Sequence, residues 1–258
     1  MTAADVWRVV LLAGERPGGD PLARRLGVAR KALIEVGGRP MVEHVISALR
    51  TTRAVGEIVG SGLERHEIAN LPALASVATS PSGSTPSASV LAALDAPGGC
   101  PLFVTTADHP LLRPETITAF LAAATATHAD VAAGVVDEAT VRRRFPASRR
   151  TYVRLRGRAF TGANLFAFTT PRARRALEVW GEVERDRKRP WRMVRRLGLP
   201  TLLRFFLGRL SPEAAIARAS AELGVRVELI WLDDALAAVD VDRPEDLALA
   251  EKLLGERG

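Results

Sequence analysis

VWRVVLLAGERPGGDPLARRLGVARKALIEVGGRPMVEHVISAL, residues 6–49, is the stretch that decides the fold. Its first seven residues, Val6 to Leu12, are a short apolar run of the kind found in a buried strand. The loop AGERPGGDPLA, with three glycines and two prolines, ends that run. Pro40 to Leu49 then spaces its apolar residues at helical intervals, and Pro40 suits a first helical position.

The same order recurs downstream. A weak strand is expected around Glu57 to Val59, a polar helix near Leu63 to Asn70, and a strand at Ala75 to Thr79. The loop SPSGSTPS leads into a helix at Ala88 to Leu94. PLFVTT, ending at Thr106, reads as the next strand, Pro114 to Thr127 as a helix, and DVAAGVV from Asp130 to Val136 as another strand. Repeated strand, loop and helix is the pattern of an α/β protein with a mostly parallel sheet covered by helices on both faces. Further on, Thr151 to Arg156 alternates like an exposed strand and Ala163 to Phe168 like a buried one. Arg172 to Ala219 reads as largely helical, broken by Pro190, Gly198, Pro200, Gly208 and Pro212. Val225 to Trp231 and Ala237 to Val241 read as late strands, and Glu245 to Leu254 as a closing helix capped by Asp242. No internal repeat or linker is visible. The expected organisation is a single domain over residues 1–258 with a basic helical insertion at about 170–222.

The whole chain has 258 residues, 47% of them hydrophobic, and a net charge of +7. That charge is unevenly spread. Between Arg142 and Arg209 there are twenty basic residues and four acidic ones, so the remainder is net acidic. A basic balance raises nucleic acid and anionic membranes as partners. Pro190, Gly198 and Pro200 cut the cationic segment RKRPWRMVRRLGLPTLLRFFLGRL into short pieces, which favours a solvated helical cap. Peripheral membrane contact through it stays open, and with no interleaving of aromatic and basic residues no specific nucleic acid is expected. A single cysteine, Cys100, excludes an internal disulfide and a cysteine-based metal cluster. With neither a charged region preceding an apolar run at the N-terminus nor a run of about 20 apolar residues, the expected location is cytoplasmic.

In open parallel sheets ligands bind beyond the carboxyl ends of strands. Four features fall there. The glycine loop, with Gly14, Gly18, Gly19 and Arg16, and then Lys31, has the composition of a phosphate cradle, although a plain turn is the simpler account. Neither GxGxxG nor GxxxxGK[ST] is present. Asp108 in TTADHPLL could hold Mg2+ against substrate phosphates, or simply form the turn before Pro110. Asp240 in AAVDVDRPEDL is a second such carboxylate, since Asp242 has a cap to make. The loop TSPSGSTPSAS could contact a nucleobase or be a surface loop.

Taken in order, these motifs resemble the MobA-like nucleotidyltransferases. LLAGERPGG…ARKALIEVGGRPMVEHVISAL is similar to the family's opening, TTADHPLL to its metal-binding aspartate motif, PSASVLAAL to its base-binding loop and helix, and AVDVDRPEDLALAE to its closing segment. Glu15 replaces the family's second glycine, and PGGDPLARRLGVA is inserted after the arginine. The resemblance implies a Rossmann-like, GT-A-like three-layer sandwich that binds an NTP with Mg2+. It implies that Leu12, Ala13, Gly14, Thr106, Ala107 and Lys31 hold the nucleotide, with Gly83, Ser84, Ser87 and Ser89 near the base. Lys31, Arg16 and Asp108 would be catalytic, Asp108 and Asp240 metal ligands, and Gly162 and Asn164 in FTGANLFAF acceptor-side residues. The implied reaction transfers an NMP from an NTP to a phosphorylated small molecule and releases pyrophosphate. The competing expectations are a non-catalytic binder that uses the basic segment on a membrane or nucleic acid, and a metal-dependent glycosyltransferase.

Overall fold

The first strand, β1 (Trp7–Leu12), has no polar face because both of its faces are covered. Val9 and Leu11 point into one apolar cluster and Val10 into another, the period-2 alternation of a strand with a helical layer on each side. The computed structural model describes residues 6–15, 18–185, 204 and 207–256.

After β1 the chain forms a short helix α1 (Pro21–Leu26), where sequence patterning showed only loop. Asp20 caps it, accepting from the backbone N–H groups of Leu22 at 2.8 Å and Ala23 at 3.1 Å, and left-handed Gly27 closes it. A small ribbon, β2 (Glu35–Val36) and β3 (Arg39–Pro40), leads into α2 (Met41–Thr51). Then come β4 (Val55–Ser61), the one-turn helix α3 (Arg65–Ile68), β5 (Ala78–Ser80), α4 (Pro86–Asp95) and β6 (Leu102–Thr106). α5 (Pro114–Thr127), β7 (Val131–Asp137) and α6 (Glu138–Arg144) follow. β8 (Val153–Leu155) and β9 (Arg158–Phe168) form a hairpin, and β9 runs well beyond the six residues expected from its apolar pattern. α7 (Arg174–Arg185), α8 (Pro212–Leu223), β10 (Val227–Leu232) and α9 (Pro244–Gly255) complete the order. The membrane reading of the basic segment falls mainly on residues 186–203, outside the described residues.

The main sheet has the order β10-β7-β9-β6-β1-β4-β5, with β8 attached to β9. β9 runs antiparallel to β6, β7 and β8, and the other neighbouring pairs are parallel. Helices α2 and α5 cover one face, through Val42, Ile46, Ile117 and Phe120, while α4 and α7 cover the other through Val90, Leu94 and Leu177. This is an α/β three-layer sandwich with a mostly parallel sheet. Fully burying side chains such as Leu11, Phe103 and Phe120 contributes about 1.5–3 kcal/mol each.

Two features of this topology position the site. The chain passes from β1 outward to β4 and β5, then returns to place β6 on the other side of β1, so strand order reverses between β1 and β6. A third apolar cluster, containing Leu22, Ile34, Met41, Leu111, Val241 and Leu253, ties the closing segment to the loops after β1 and β6. That closing segment differs from expectation. Ala237 to Val241 is not a strand: Ala235–Ala238 is a 3-10 turn started by Asp234, whose carboxylate accepts from the Leu236 N–H at 3.0 Å. Asp242 does not cap α9 either. Arg243 occupies the cap position, and the Asp246 carboxylate accepts from the N–H groups of Asp242 and Arg243.

Candidate active site

The ends of β1, β4 and β6 are level. Leu12 pairs in register with Ser61 on one side and Thr106 on the other. Beyond them, the Ala13 N–H donates to Ser61 O at 2.9 Å and the Ala107 N–H to Leu12 O at 2.9 Å, so the next residues of all three strands leave the sheet edge together. Four of the residues expected at the nucleotide, Leu12, Ala13, Thr106 and Ala107, therefore form the floor of the crevice at the switch point.

Above that floor the glycine loop is packed against the end of β4. A Cβ on Gly62 would lie 2.5 Å from the Gly14 Cα, and a Cβ on Gly14 would lie 2.6 Å from the Ser82 Oγ. Gly62 also has φ +87°, a conformation that side chains other than glycine rarely adopt. Gly62→Ala is expected to destabilise the fold by about 1–3 kcal/mol through strain and collision. Thermal or urea unfolding measures this, and an unfolding midpoint equal to wild type would contradict the packing described.

Lys31 crosses the crevice. Its backbone N–H donates to Glu15 Oε1 at 2.9 Å, which anchors the start of the 3-10 turn Lys31–Leu33 against the glycine loop. Its Nζ lies 2.6 Å from Asp108 Oδ2 and 2.5 Å from Asp242 Oδ1. The Val241 N–H donates to Asp108 O at 2.9 Å, joining the closing segment to the loop after β6. Three segments far apart in sequence thus meet at one ammonium. Burial alone would lower the Lys31 pKa, but the Asp108 and Asp242 carboxylates outweigh it and hold the ammonium above its usual range. Burial pushes the Asp108 carboxyl up, and the adjacent Lys31 charge together with hydrogen bonding to the carboxylate more than reverses this, so Asp108 is held below the usual carboxylate range.

A second polar group stands on the β9 side. Asp240 is ion-paired with Arg150, and its Oδ2 accepts from Asn164 Nδ2 at 3.1 Å. Asn164 has φ 54° at an irregularity in the β7–β9 register, which aims its side chain out of the regular ladder. Gly162 lies two residues away on β9, with its backbone exposed. His109 is 1% exposed, and burial holds its pKa below the usual value against the pull of Asp240 and Asp108.

The opposite end of the crevice opens into a cavity of about 760 Å3 lined by residues that include Glu15, Arg30, Gly62, Glu64, Ser80 and Ser82. Arg30 spans it, donating to Gly62 O at 2.7 Å and pairing with Glu64 and Glu67. Gly83 and Ser84 are exposed on the loop beside this cavity. The Ser89 Oγ accepts from the Gly83 N–H at 2.8 Å and shapes that loop. Ser87 turns the other way: it is buried and its hydroxyl donates to Glu184 of α7. Arg16 lies outside the described residues.

Of the residues expected from the sequence, Lys31 and Asp108 are brought together, and Glu15, Asp242 and Arg150 join the group without having been expected there. The available signal for Asp242 was its position in the run VDRPEDL, which the capping rule claimed for α9. Glu15 stood out as a carboxylate among glycines.

The chain is an α/β protein of the nucleotidyltransferase class. Residues 9–222 match the MobA-like NTP transferase domain, and the chain belongs to that family. A hypothetical transferase from Thermus thermophilus has a similar structure, with 34% sequence identity, TM-score 0.79, and coverage of 94% of this chain and 99% of that one. Two solved enzymes share the fold at lower identity. CMP:2-keto-3-deoxy-manno-octonic acid synthetase, solved with CTP, has TM-score 0.58 at 13% identity, covering 98% of this chain and 99% of that one. The 2-C-methyl-D-erythritol 4-phosphate cytidylyltransferase of Thermus thermophilus has TM-score 0.54 at 21% identity, covering 95% of this chain and 98% of that one. No curated protein matches the sequence significantly. No helix among the described residues is long and apolar enough to cross a membrane.

Proposed function

We propose that this protein transfers an NMP from an NTP to a phosphorylated small-molecule acceptor, with Mg2+ as the metal and pyrophosphate as the leaving group. The observation that carries this reading is the Lys31 ammonium held between Asp108 and Asp242 at the switch point.

In this reading the floor residues and Gly14 present backbone to the phosphates, and the cavity beside Gly83 and Ser84 takes the nucleoside. Lys31 supplies positive charge where the triphosphate accumulates negative charge, and Glu15 fixes the backbone from which Lys31 projects. The acceptor phosphate is already ionised at neutral pH, so its oxygen can attack the α-phosphorus without a general base. The new P–O bond forms as the bond to pyrophosphate breaks, and positioning with charge neutralisation carries the rate.

The donor set suits a magnesium ion. Among the described residues, Asp108, Asp240 and Asp242 are three carboxylates paired with two cations, Lys31 and Arg150, which leaves room for added positive charge. Asp108 Oδ1 is buried and has no hydrogen-bond partner among the described residues. No cluster of three metal-ligating side chains occurs among the described residues, and magnesium is commonly held by one or two carboxylates plus substrate phosphates. Asp240 is engaged by Arg150 and Asn164, so we assign Asp108 and Asp242 as the residues that would hold the ion. Bound there, it would neutralise phosphate charge and orient the α-phosphate.

The test is product analysis. The protein is incubated with each of the four NTPs, Mg2+ and a panel of sugar and polyol phosphates. Pyrophosphate and a nucleoside diphosphate-linked product are expected from one nucleotide. Absence of pyrophosphate with all four nucleotides would contradict the reading, and a parallel incubation with nucleoside diphosphate sugars that released a free nucleoside diphosphate would indicate glycosyl transfer instead.

A further inference from the structure

The carboxyl edge of the sheet orders the site along one line. The cavity lies at β4 and β5, the glycine loop at β1, Asp108 after β6, and the Asn164, Asp240 and Arg150 group at β9. If the nucleotide occupies the first part of that line, the second substrate approaches from the β9 side. Lys31 is committed to the middle of the line, between Asp108 and Asp242. On the β9 side the cation paired with Asp240 is Arg150, one of the twenty basic residues of the positive stretch.

Arg150 is poised rather than spent. Its Nη2 donates to both the carboxylate and the backbone carbonyl of Asp240, while Nε and Nη1 make no hydrogen bond among the described residues. Its side chain keeps 18% of its exposure, so an anion can reach it. A guanidinium offers a fork of N–H donors that matches a phosphate, and a doubly charged phosphate competes well with a single carboxylate for it. Asp240 would not be stranded by the exchange, because the Asn164 amide still donates to its other oxygen.

We propose that Arg150 receives the phosphomonoester of the acceptor, and that Asp240 holds the guanidinium in place until that phosphate arrives. This rests on the nucleotidyltransferase reading for its meaning, though its test does not. Inorganic phosphate is titrated against the full-length protein in a Lys31→Ala background, without nucleotide, so that the triphosphate site contributes little. Binding is read from thermal stabilisation and from the 31P line width. Adding Arg150→Ala is expected to raise the half-saturating phosphate concentration at least tenfold. Arg150→Gln, which keeps the side chain's length, should do the same, and Arg150→Lys should fall between. Asp240→Asn should shift the midpoint the opposite way, several-fold lower, because the competing charge is gone. A purely structural ion pair would not give opposite signs for its two members.

An unchanged midpoint in both Arg150→Ala and Arg150→Gln would overturn the proposal, as would weakened binding in Asp240→Asn. Glycerol phosphate and phosphatidate vesicles, used in the same titration, separate a soluble carrier of the phosphomonoester from a lipid one. Dependence on Arg150 with either supports the assignment, and dependence with neither overturns it. Failure of the nucleotidyltransferase reading shows up separately, as absence of stabilisation of the wild-type protein by any Mg–NTP.

Discussion

Lys31→Ala is expected to lower turnover about 100-fold or more while the protein stays folded, the consequence of losing roughly 3 kcal/mol of phosphate stabilisation. The size of the effect follows from geometry. Lys31 is the ammonium that both Asp108 and Asp242 contact, and Glu15 holds its backbone. The variant also leaves two carboxylates facing each other, which gives a second readout. In the wild type, Asp108 titrates below its ordinary 3.8 and Lys31 above its ordinary 10.5. The stabilisation from the pair is therefore present between those ordinary values. It is lost on the acid side as pH falls through the depressed Asp108 value, and on the alkaline side as pH rises through the raised Lys31 value. Thermal unfolding between pH 3 and 7 should show the acid-side loss shrinking in Lys31→Ala. Wild-type kinetics in that variant would remove Lys31 from the site.

Asp108→Asn is expected to cost a comparable factor for a different reason. The substitution keeps the shape and one acceptor oxygen, and Lys31 retains Asp242 as a partner. What disappears is one of the two carboxylate charges assigned to the metal. Steady-state turnover should fall about 100-fold, on the order of 3 kcal/mol, and the residual rate should respond only weakly to added Mg2+. Asp242→Asn should behave in the same way if the two carboxylates act together. Full activity in Asp108→Asn, with unchanged Mg2+ dependence, would contradict the assignment.

The parts of the molecule legible in its sequence are those governed by local rules. β1, β6 and β7 are apolar runs bounded by glycine, proline or aspartate, and α2 and α5 begin next to prolines with helical spacing behind them. The glycine loop and Asp108 are visible because a strand end names its own neighbour. The closing segment is different. ALAAVDV is apolar on every side, so its periodicity cannot separate a strand from a 3-10 turn. Tertiary partners decide it: the Asp234 carboxylate holds Arg113 and Thr116 as well as the Leu236 N–H. Asp242 misleads for a related reason. A local capping rule claims it for α9, while the structure pairs it with a lysine 211 residues away. Arg150 stands in a run of arginines whose spacing distinguishes none of them, and only the fold shows which one faces Asp240. The antiparallel placement of β9 between β6 and β7 is likewise a matter of pairing, invisible along the chain.

The central claim is that the switch-point crevice binds a nucleoside triphosphate through Lys31. The most direct measurement is thermal stabilisation of the wild-type protein by ATP, GTP, CTP and UTP, each with Mg2+. A nucleotide at 100 times its Kd should add about 2.7 kcal/mol of stability. One of the four should stand out in this way, and Lys31→Ala should lose the effect. If none of the four shifts the wild-type midpoint, the nucleotide site described here does not exist.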